Sequence, residues 1–206
     1  MDGESSFLED MPCGDIESSQ ERNLHTFCVD IASLLRDEHF QQMVSAFVAK
    51  RGRALDSRFV AEEASQRVVS TVLDKLPHFA NDFDFIKSVV SELVQNVVAH
   101  GSKELFDCPG ARIDCAYDED FVAITTTQLP LEKDKFDVLQ ARLDGLQVHT
   151  AVADRIVTSQ AGVPFQAGGM GLVVLKGLLD ERGGALSIHQ DDCGLQFCAR
   201  FPRMQS

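Results

Sequence analysis

The chain has 206 residues, 44% of them hydrophobic and 25% charged, which is the composition of a globular protein with a substantial core. Its net charge of −13 argues against nucleic-acid binding, which requires a basic surface for the phosphates. It has no apolar run of the roughly 20 residues that cross a bilayer and no signal-peptide pattern at its N-terminus, so we expect a cytoplasmic protein that does not bind membranes.

The N-terminal third predicts a tail followed by helices. Residues 1–21 contain seven acidic residues and no Lys or Arg, which predicts a flexible acidic tail. Residues 22–56 predict a helical extension, because apolar residues recur at helical spacing around a break at 37–39, and this pattern would bury Cys28. A further amphipathic helix is predicted over 57–76. These helices either form a partner-binding or dimerisation surface or cover the core, and the sequence leaves both open.

The segment 82–103 predicts a long helix with polar residues on its apolar side. Glu92, Asn96 and His100 are four residues apart and fall in or beside the sector of Phe85, Val89 and the other apolar residues. Burying these groups without partners would cost several kcal/mol, on the order of a lost hydrogen bond or more for each group. They therefore either satisfy one another and nearby backbone or line a polar pocket, and we favour the pocket.

The remainder of the chain predicts strands and helices in alternation. Residues 111–118 and 120–128 alternate at period two around an acidic turn, which indicates an antiparallel hairpin. We expect a helix over 131–147, a short helix and a loop over 149–165, and a helix that follows the glycine cluster and ends at 183–184. Two terminal strands follow. The whole predicts an α+β two-layer sandwich, with 57–206 as its main domain.

Three motifs occur in order: ELVQNVVAHG (92–101) on a helix, ITTTQLP (124–130) at the end of a strand, and AGGMGL (167–172) at a helix start. This order resembles the GHKL superfamily of ATP-binding domains, which includes gyrase and the histidine kinases and has the Bergerat fold. The helix motif is most similar to that of the anti-sigma-factor serine/threonine kinases of bacterial partner-switching modules. The resemblance implies an α+β sandwich of the GHKL type with extra N-terminal helices, and ATP and Mg²⁺ as cofactors.

The resemblance also implies roles for single residues. Glu92 matches the catalytic acid that accepts the proton of the attacking hydroxyl, and Asn96 matches the amide that ligates magnesium. Gly168, Gly169 and Gly171 match the glycines whose backbone amides contact phosphate oxygens. The chemistry agrees, since Mg²⁺ prefers oxygen ligands and a helix N-terminus attracts anions. His100 is more simply interpreted as a structural histidine.

One position departs from the family pattern. The Asp that reads the adenine amino group in these proteins is replaced by Gln128, or by Thr127 if the register shifts by one, and the glycines after it are missing. An amide oxygen can still accept that hydrogen bond, although a carboxylate accepts a stronger one. The predicted helix over 131–147 favours the SiaB-like kinases, which also have a non-acidic residue near here and a helical lid.

These features predict an ATP- and Mg²⁺-dependent serine/threonine kinase that regulates a small anti-sigma-factor-antagonist-like protein or a sigma factor. Within the lid, residues 130–167, Lys133, Arg142 and Arg155 are candidate phosphate contacts, although pairing with neighbouring acids explains them more simply. A non-catalytic binding module of the same fold is the alternative. A histidine kinase is a third reading, but neither His25 nor His39 is followed by the expected acidic residue.

Overall fold

The structure, a computed structural model, describes residues 24–52, 54–76, 79–101, 104–144, 148–152, 155–158 and 170–204. Its main sheet has five antiparallel strands in the order β1-β2-β3-β7-β6. These strands are β1 (His25–Asp30), β2 (Arg112–Tyr117), β3 (Phe121–Gln128), β6 (Ala185–Asp191) and β7 (Gly194–Pro202). A separate hairpin pairs β4 (Val148–Val152) with β5 (Arg155–Thr158).

Six α-helices accompany the sheet in the described ranges. They are α1 (Ile31–Arg36), α2 (Glu38–Arg51), α3 (Ser57–Asp74), α4 (Phe83–Gly101), α5 (Lys133–Asp144) and α6 (Met170–Glu181). Asp30, Asp37 and Asp56 begin the first three helices, because each carboxylate accepts a hydrogen bond from a backbone N–H of the first turn. Over the described ranges, every helix is too short or too polar to span a bilayer.

The core lies between the inward-facing side of the sheet and the helices. Ile113 of β2, Ile124 of β3 and Phe201 of β7 belong to one buried cluster with Ile86 and Leu93 of α4. Since side chains alternate along a strand, residues of even number in β3 and of odd number in β2 and β7 face this core. The result is a mixed α/β architecture, compatible with the predicted α+β sandwich.

Most predicted elements are confirmed. The long helix is α4, the first hairpin is β2–β3, the lid helix is α5 and the terminal hairpin is β6–β7. The helix after the glycine cluster is α6, and it ends where Gly183 adopts a positive φ of 66° and Gly184 N–H donates to the carbonyl of Leu179.

Two predictions of secondary structure were wrong. The segment predicted as helical from residue 22 contains β1, which pairs along its whole length with β2. Phe27 and Val29 both pack against the core, as alternate residues of a strand do. The prediction failed because neighbouring apolar residues give the same segment a helical spacing as well. Cys28 lies between them and is exposed on the outer side of the sheet, rather than buried. The segment predicted as a short helix and a loop, 149–165, contains residues of β4 and β5.

A buried ion pair fixes the start of α4 against the end of α6. Arg182 Nη1 donates to Asp82 Oδ1 at 2.6 Å, and the backbone N–H of Met204 donates to Asp82 Oδ2 at 3.3 Å. Asp82 is 2% exposed, so its charge is compensated inside the fold rather than by water. The arginine also lies over the ring of Phe85, 4.3 Å from its centroid. Asp82 thus holds three chain segments together.

Candidate functional site

The helix α4 has two polar margins with different surroundings. On the side toward α3, Gln95 Nε2 donates to Ser91 Oγ at 3.0 Å, and Ser91 Oγ is 2.9 Å from Ser65 Oγ of α3. On the other margin lie Glu92 and Asn96, both partly buried. The first margin is a satisfied helix–helix contact. The second margin is the one that the sequence assigned to a site.

The start of α6 packs directly on Glu92 and Asn96. A Cβ atom built on Gly171 would lie 2.9 Å from Glu92 Oε2 and 3.0 Å and 3.1 Å from Asn96 Oδ1 and Nδ2. At such distances a side chain at this position would displace the ends of the Glu92 and Asn96 side chains. The structure therefore brings together three of the predicted site residues: the carboxylate, the amide and the last glycine of the AGGMGL motif.

Within the described part of the chain, the surroundings of these two polar groups do not fully compensate them. Asn96 Nδ2 is buried and has no hydrogen-bond partner in the described part of the chain. Burial raises the pKa of the Glu92 carboxyl above its ordinary value, and desolvation is the only cause. A cation or hydrogen-bond donor close to this carboxylate would favour its ionised form and oppose that rise in pKa. At the contact between α4 and α6, the Asn96 nitrogen can therefore still donate a hydrogen bond, and the Glu92 carboxylate can still accept one.

Gln128 lies at the same end of the molecule as Asn96. The ring of Phe85, at the start of α4, is 4.8 Å from that of Phe201, near the end of β7. Asn96 lies about 17 Å from Phe85 along α4. Leu195 lies about 20 Å from Phe201 along β7, so the two residues are at similar distances from the same contact. Leu195 is the partner of Gln128 in the β3–β7 ladder.

A second contact confirms this alignment. Cys108 Sγ donates to the carbonyl of Val97 at 3.6 Å, and the chain then enters β2 at Arg112, which pairs with Thr127 of β3. The last residues of α4 and the last residues of β3 thus lie toward the same end of the sheet. The helix motif and the strand motif of the sequence belong to one region of the fold.

The end of β3 carries unpaired polar atoms. Gln128 is 6% exposed and Thr126 is fully buried, yet Gln128 Oε1 and Thr126 Oγ1 have no partner among the residues described. Both side chains face the helices, whereas Thr127, between them, faces the opposite side of the sheet. Gly194 packs so tightly against the backbone of Gln128 that a Cβ atom there would collide with the Gln128 carbonyl oxygen. Of the two positions considered in the sequence, Gln128 is the one on the helical side of the sheet.

Thr126 and Gln190 are further residues of the candidate site, and neither was predicted from the sequence. Gln190 of β6 accepts from Leu131 N–H at 2.7 Å through Oε1 and donates to Leu131 O at 3.0 Å through Nε2. This double hydrogen bond fixes the chain between β3 and α5 beside Gln128. Thr126 lies two residues before Gln128 on the same face, and this spacing could have identified it. No local pattern could have identified Gln190, because its partner is 59 residues away.

The donor set at this end suits only certain metal ions. The described residues contain no cluster of three or more His, Cys, Asp or Glu side chains that could hold a metal ion by themselves. Magnesium commonly takes one or two protein oxygens and completes its shell with phosphates and water. Asn96 Oδ1, beside Glu92, offers such a ligand, so the residues present fit a Mg²⁺ ion that arrives with a phosphate ligand.

Several predicted residues lie outside this cluster or outside the described ranges. Gly168 and Gly169 lie outside the described residues, as do the side chains of Arg142 and Arg155. Lys133 and His100 are exposed. His25, which the sequence placed on a helix, lies in β1 and stacks on Tyr117 with ring centroids 5.1 Å apart.

Comparison of the chain with protein-family models gives no match, and comparison with curated proteins gives none either. What the protein does is therefore inferred from the geometry of its own residues.

Proposed function

We propose that this protein is a GHKL-type, ATP- and Mg²⁺-dependent serine/threonine kinase that acts on a protein partner in a partner-switching module. One observation carries the proposal: a half-buried carboxylate of raised pKa and an amide whose nitrogen has no partner among the described residues lie side by side against a glycine at the start of a helix. Phosphoryl transfer needs positioning and charge neutralisation more than covalent chemistry, and these are groups that can provide both.

Each group has a distinct role in this proposal. Asn96 Oδ1 would hold a Mg²⁺ ion, which would neutralise charge on the phosphates of ATP. Glu92 accepts the proton of the attacking hydroxyl, and its raised pKa makes it a stronger base than an ordinary glutamate. Gly171 lets the first turn of α6 approach both side chains, so that its backbone amides and helix dipole favour the phosphates.

The partner is a small protein of the anti-sigma-factor-antagonist type or a sigma factor. The test is incubation of the full chain with γ-labelled ATP, Mg²⁺ and the protein encoded beside its gene. We expect label on a Ser or Thr of the partner, and a loss of transfer of about 100-fold or more in Glu92→Gln, the range of general-base contributions. Glu62→Gln, on the exposed side of α3, is the matched control. No transfer to any partner would reject the kinase.

The alternative is a binding module of the same fold without catalysis, and the neutral Gln128 at the base-reading position favours it. Such a module would sequester its partner whether or not nucleotide is present. Calorimetry and thermal shift together distinguish the two functions, since a kinase must bind ATP with Mg²⁺. A module that has lost its nucleotide would show neither heat nor a shift in melting temperature while it still binds the partner.

A further inference from the structure

Two glutamine side chains at the same end of the sheet differ in how their amides are held. The amide of Gln190 is fixed, because its oxygen and its nitrogen both bond to the backbone of Leu131. The amide of Gln128 has no such restraint. The side chain is only 6% exposed, and its Oε1 is buried without a partner among the described residues. Within the same ranges, its Nε2 donates no hydrogen bond.

An unrestrained amide can present either of two patterns to a ligand. Its oxygen accepts and its nitrogen donates, and rotation of the terminal torsion by a half turn exchanges their positions. That torsion is broad, so the exchange is not opposed by a strong rotamer preference. The hydroxyl of Thr126, two residues earlier on the same face and also without a partner, is likewise able to donate or accept.

The two purines differ in the pattern that they require. Adenine presents an amino donor beside a ring-nitrogen acceptor, whereas guanine presents a carbonyl acceptor beside a ring N–H donor. A carboxylate at position 128 could only accept, so it would favour the adenine amino group and repel the guanine carbonyl. The amide of Gln128 satisfies adenine in one orientation and guanine in the other.

We propose that the nucleotide site of this protein accepts both adenine and guanine nucleotides, with Gln128 as the residue that reads the purine edge. This inference rests on the proposed function, which supplies the nucleotide and the Mg²⁺ ion at the other end of the site. It adds a second cosubstrate, GTP, for the same transfer.

The test is calorimetric titration of the full chain with ATP, GTP and CTP in Mg²⁺ at pH 8. We expect the Kd values for ATP and GTP to agree within about tenfold, because one amide offers each base the same number of hydrogen bonds, and CTP to bind at least about tenfold more weakly. ATP binding with GTP more than 100-fold weaker would overturn the inference and leave the proposed function intact. CTP binding as tightly as ATP would overturn it as well. Absence of binding by ATP and GTP alike would instead reject the nucleotide site itself.

Two substitutions of Gln128 test its role in purine recognition directly. Gln128→Glu keeps the length but only accepts when ionised, so we expect ATP to remain bound and GTP to weaken by about tenfold to a hundredfold. Gln128→Met removes both polar atoms and should weaken the two purine nucleotides equally. Gln95→Met, on the α3 side of α4, should change neither Kd value and is the matched control. An unchanged ratio of GTP to ATP affinity in Gln128→Glu would assign purine recognition to another residue.

Discussion

Two carboxylates of the α4 region differ in how their charges are compensated. Asp82, at the start of α4, is 2% exposed and receives hydrogen bonds from Arg182 and from the backbone of Met204. Glu92, in the middle of α4, is half-buried, and desolvation alone determines the direction of its pKa shift. A carboxylate that only stabilised the fold would be expected to have compensating partners, as Asp82 does. Glu92 lacks such compensation among the described residues, which agrees with the proposed role in binding a ligand.

Replacement of Glu92 by Gln should stabilise the free protein at neutral and alkaline pH. The folded state raises the pKa of this carboxyl, so its ionised form opposes folding above the unfolded-state pKa. Below that pH the group is protonated in both states and has no effect. Thermal unfolding should show a higher midpoint for Glu92→Gln than for wild type at pH 8, and the two midpoints should converge near pH 4. In Glu62→Gln the midpoint should not change at either pH. A lower midpoint for Glu92→Gln at pH 8 would assign Glu92 a structural role.

At the scale of elements, the site depends on the close approach of α6 to α4. Two glycines of the α6 region allow close contacts of different kinds. The three atoms nearest to a Cβ atom on Gly171 would be ends of the Glu92 and Asn96 side chains, whereas a Cβ atom on Gly184 would lie 2.6 Å from the backbone oxygen of Arg200. Side-chain ends can move aside, but a carbonyl in the β6–β7 ladder cannot. Gly171 therefore allows close packing at the candidate site, and Gly184 allows close packing against the backbone of β7.

The variant Gly171→Ala should fold normally and bind nucleotide poorly. Alanine favours helix over glycine by about 1 kcal/mol, which offsets the displacement of two flexible side chains. The displaced carboxylate and amide should weaken Mg²⁺–ATP binding at least about tenfold, measured by calorimetry. Gly184→Ala is the contrasting variant, since we expect it to lose about 1 to 3 kcal/mol of stability through overpacking. Binding by Gly171→Ala that equals wild type would separate α6 from the site.

The local elements of the site could be predicted from the sequence, but their relative positions could not. Helix α4 and the β2–β3 hairpin have long, regular patterns, and the polar spacing of Glu92 and Asn96 is visible within one helix. The strand β1 was wrongly predicted as a helix, because Phe27 and Cys28 also fit a helical period. Only the pairing of this segment with β2 shows that it is a strand. The bond from Gln190 to Leu131 and the packing of Gly171 on Glu92 join residues far apart in the chain. Tertiary contacts of this kind leave no periodic signal.

On the scale of the whole molecule, the N-terminal segment contributes to the main sheet and to the common core. The strand β1 covers one edge of β2. Ile31, Leu35, Phe40 and Val44, which follow β1, have no exposed surface and belong to the same cluster as the residues of α4. Burial of four such side chains stabilises a protein by about 6 to 12 kcal/mol. This range is comparable to the total stability of a typical domain, about 5 to 15 kcal/mol.

A fragment of residues 57–206 should therefore fail to fold by itself, although the sequence predicts that it contains the complete nucleotide-binding domain. A fragment of residues 24–206 should retain the cooperative unfolding of the full chain. Circular dichroism with thermal melting distinguishes these outcomes. A cooperative transition in 57–206 near the wild-type midpoint would show that the N-terminal segment is a separate appendage.

The most direct test of the proposed site is the dependence of ATP binding on Mg²⁺ and on Asn96. We expect wild type to bind ATP at least about tenfold more tightly with Mg²⁺ than with a chelator, since in the proposed site Asn96 Oδ1 would hold the ion that arrives with the phosphates. In Asn96→Ala that difference should disappear, while Gln95→Ala, on the satisfied margin of α4, should retain it. Equal Mg²⁺-dependent affinity in Asn96→Ala and wild type would contradict the assignment.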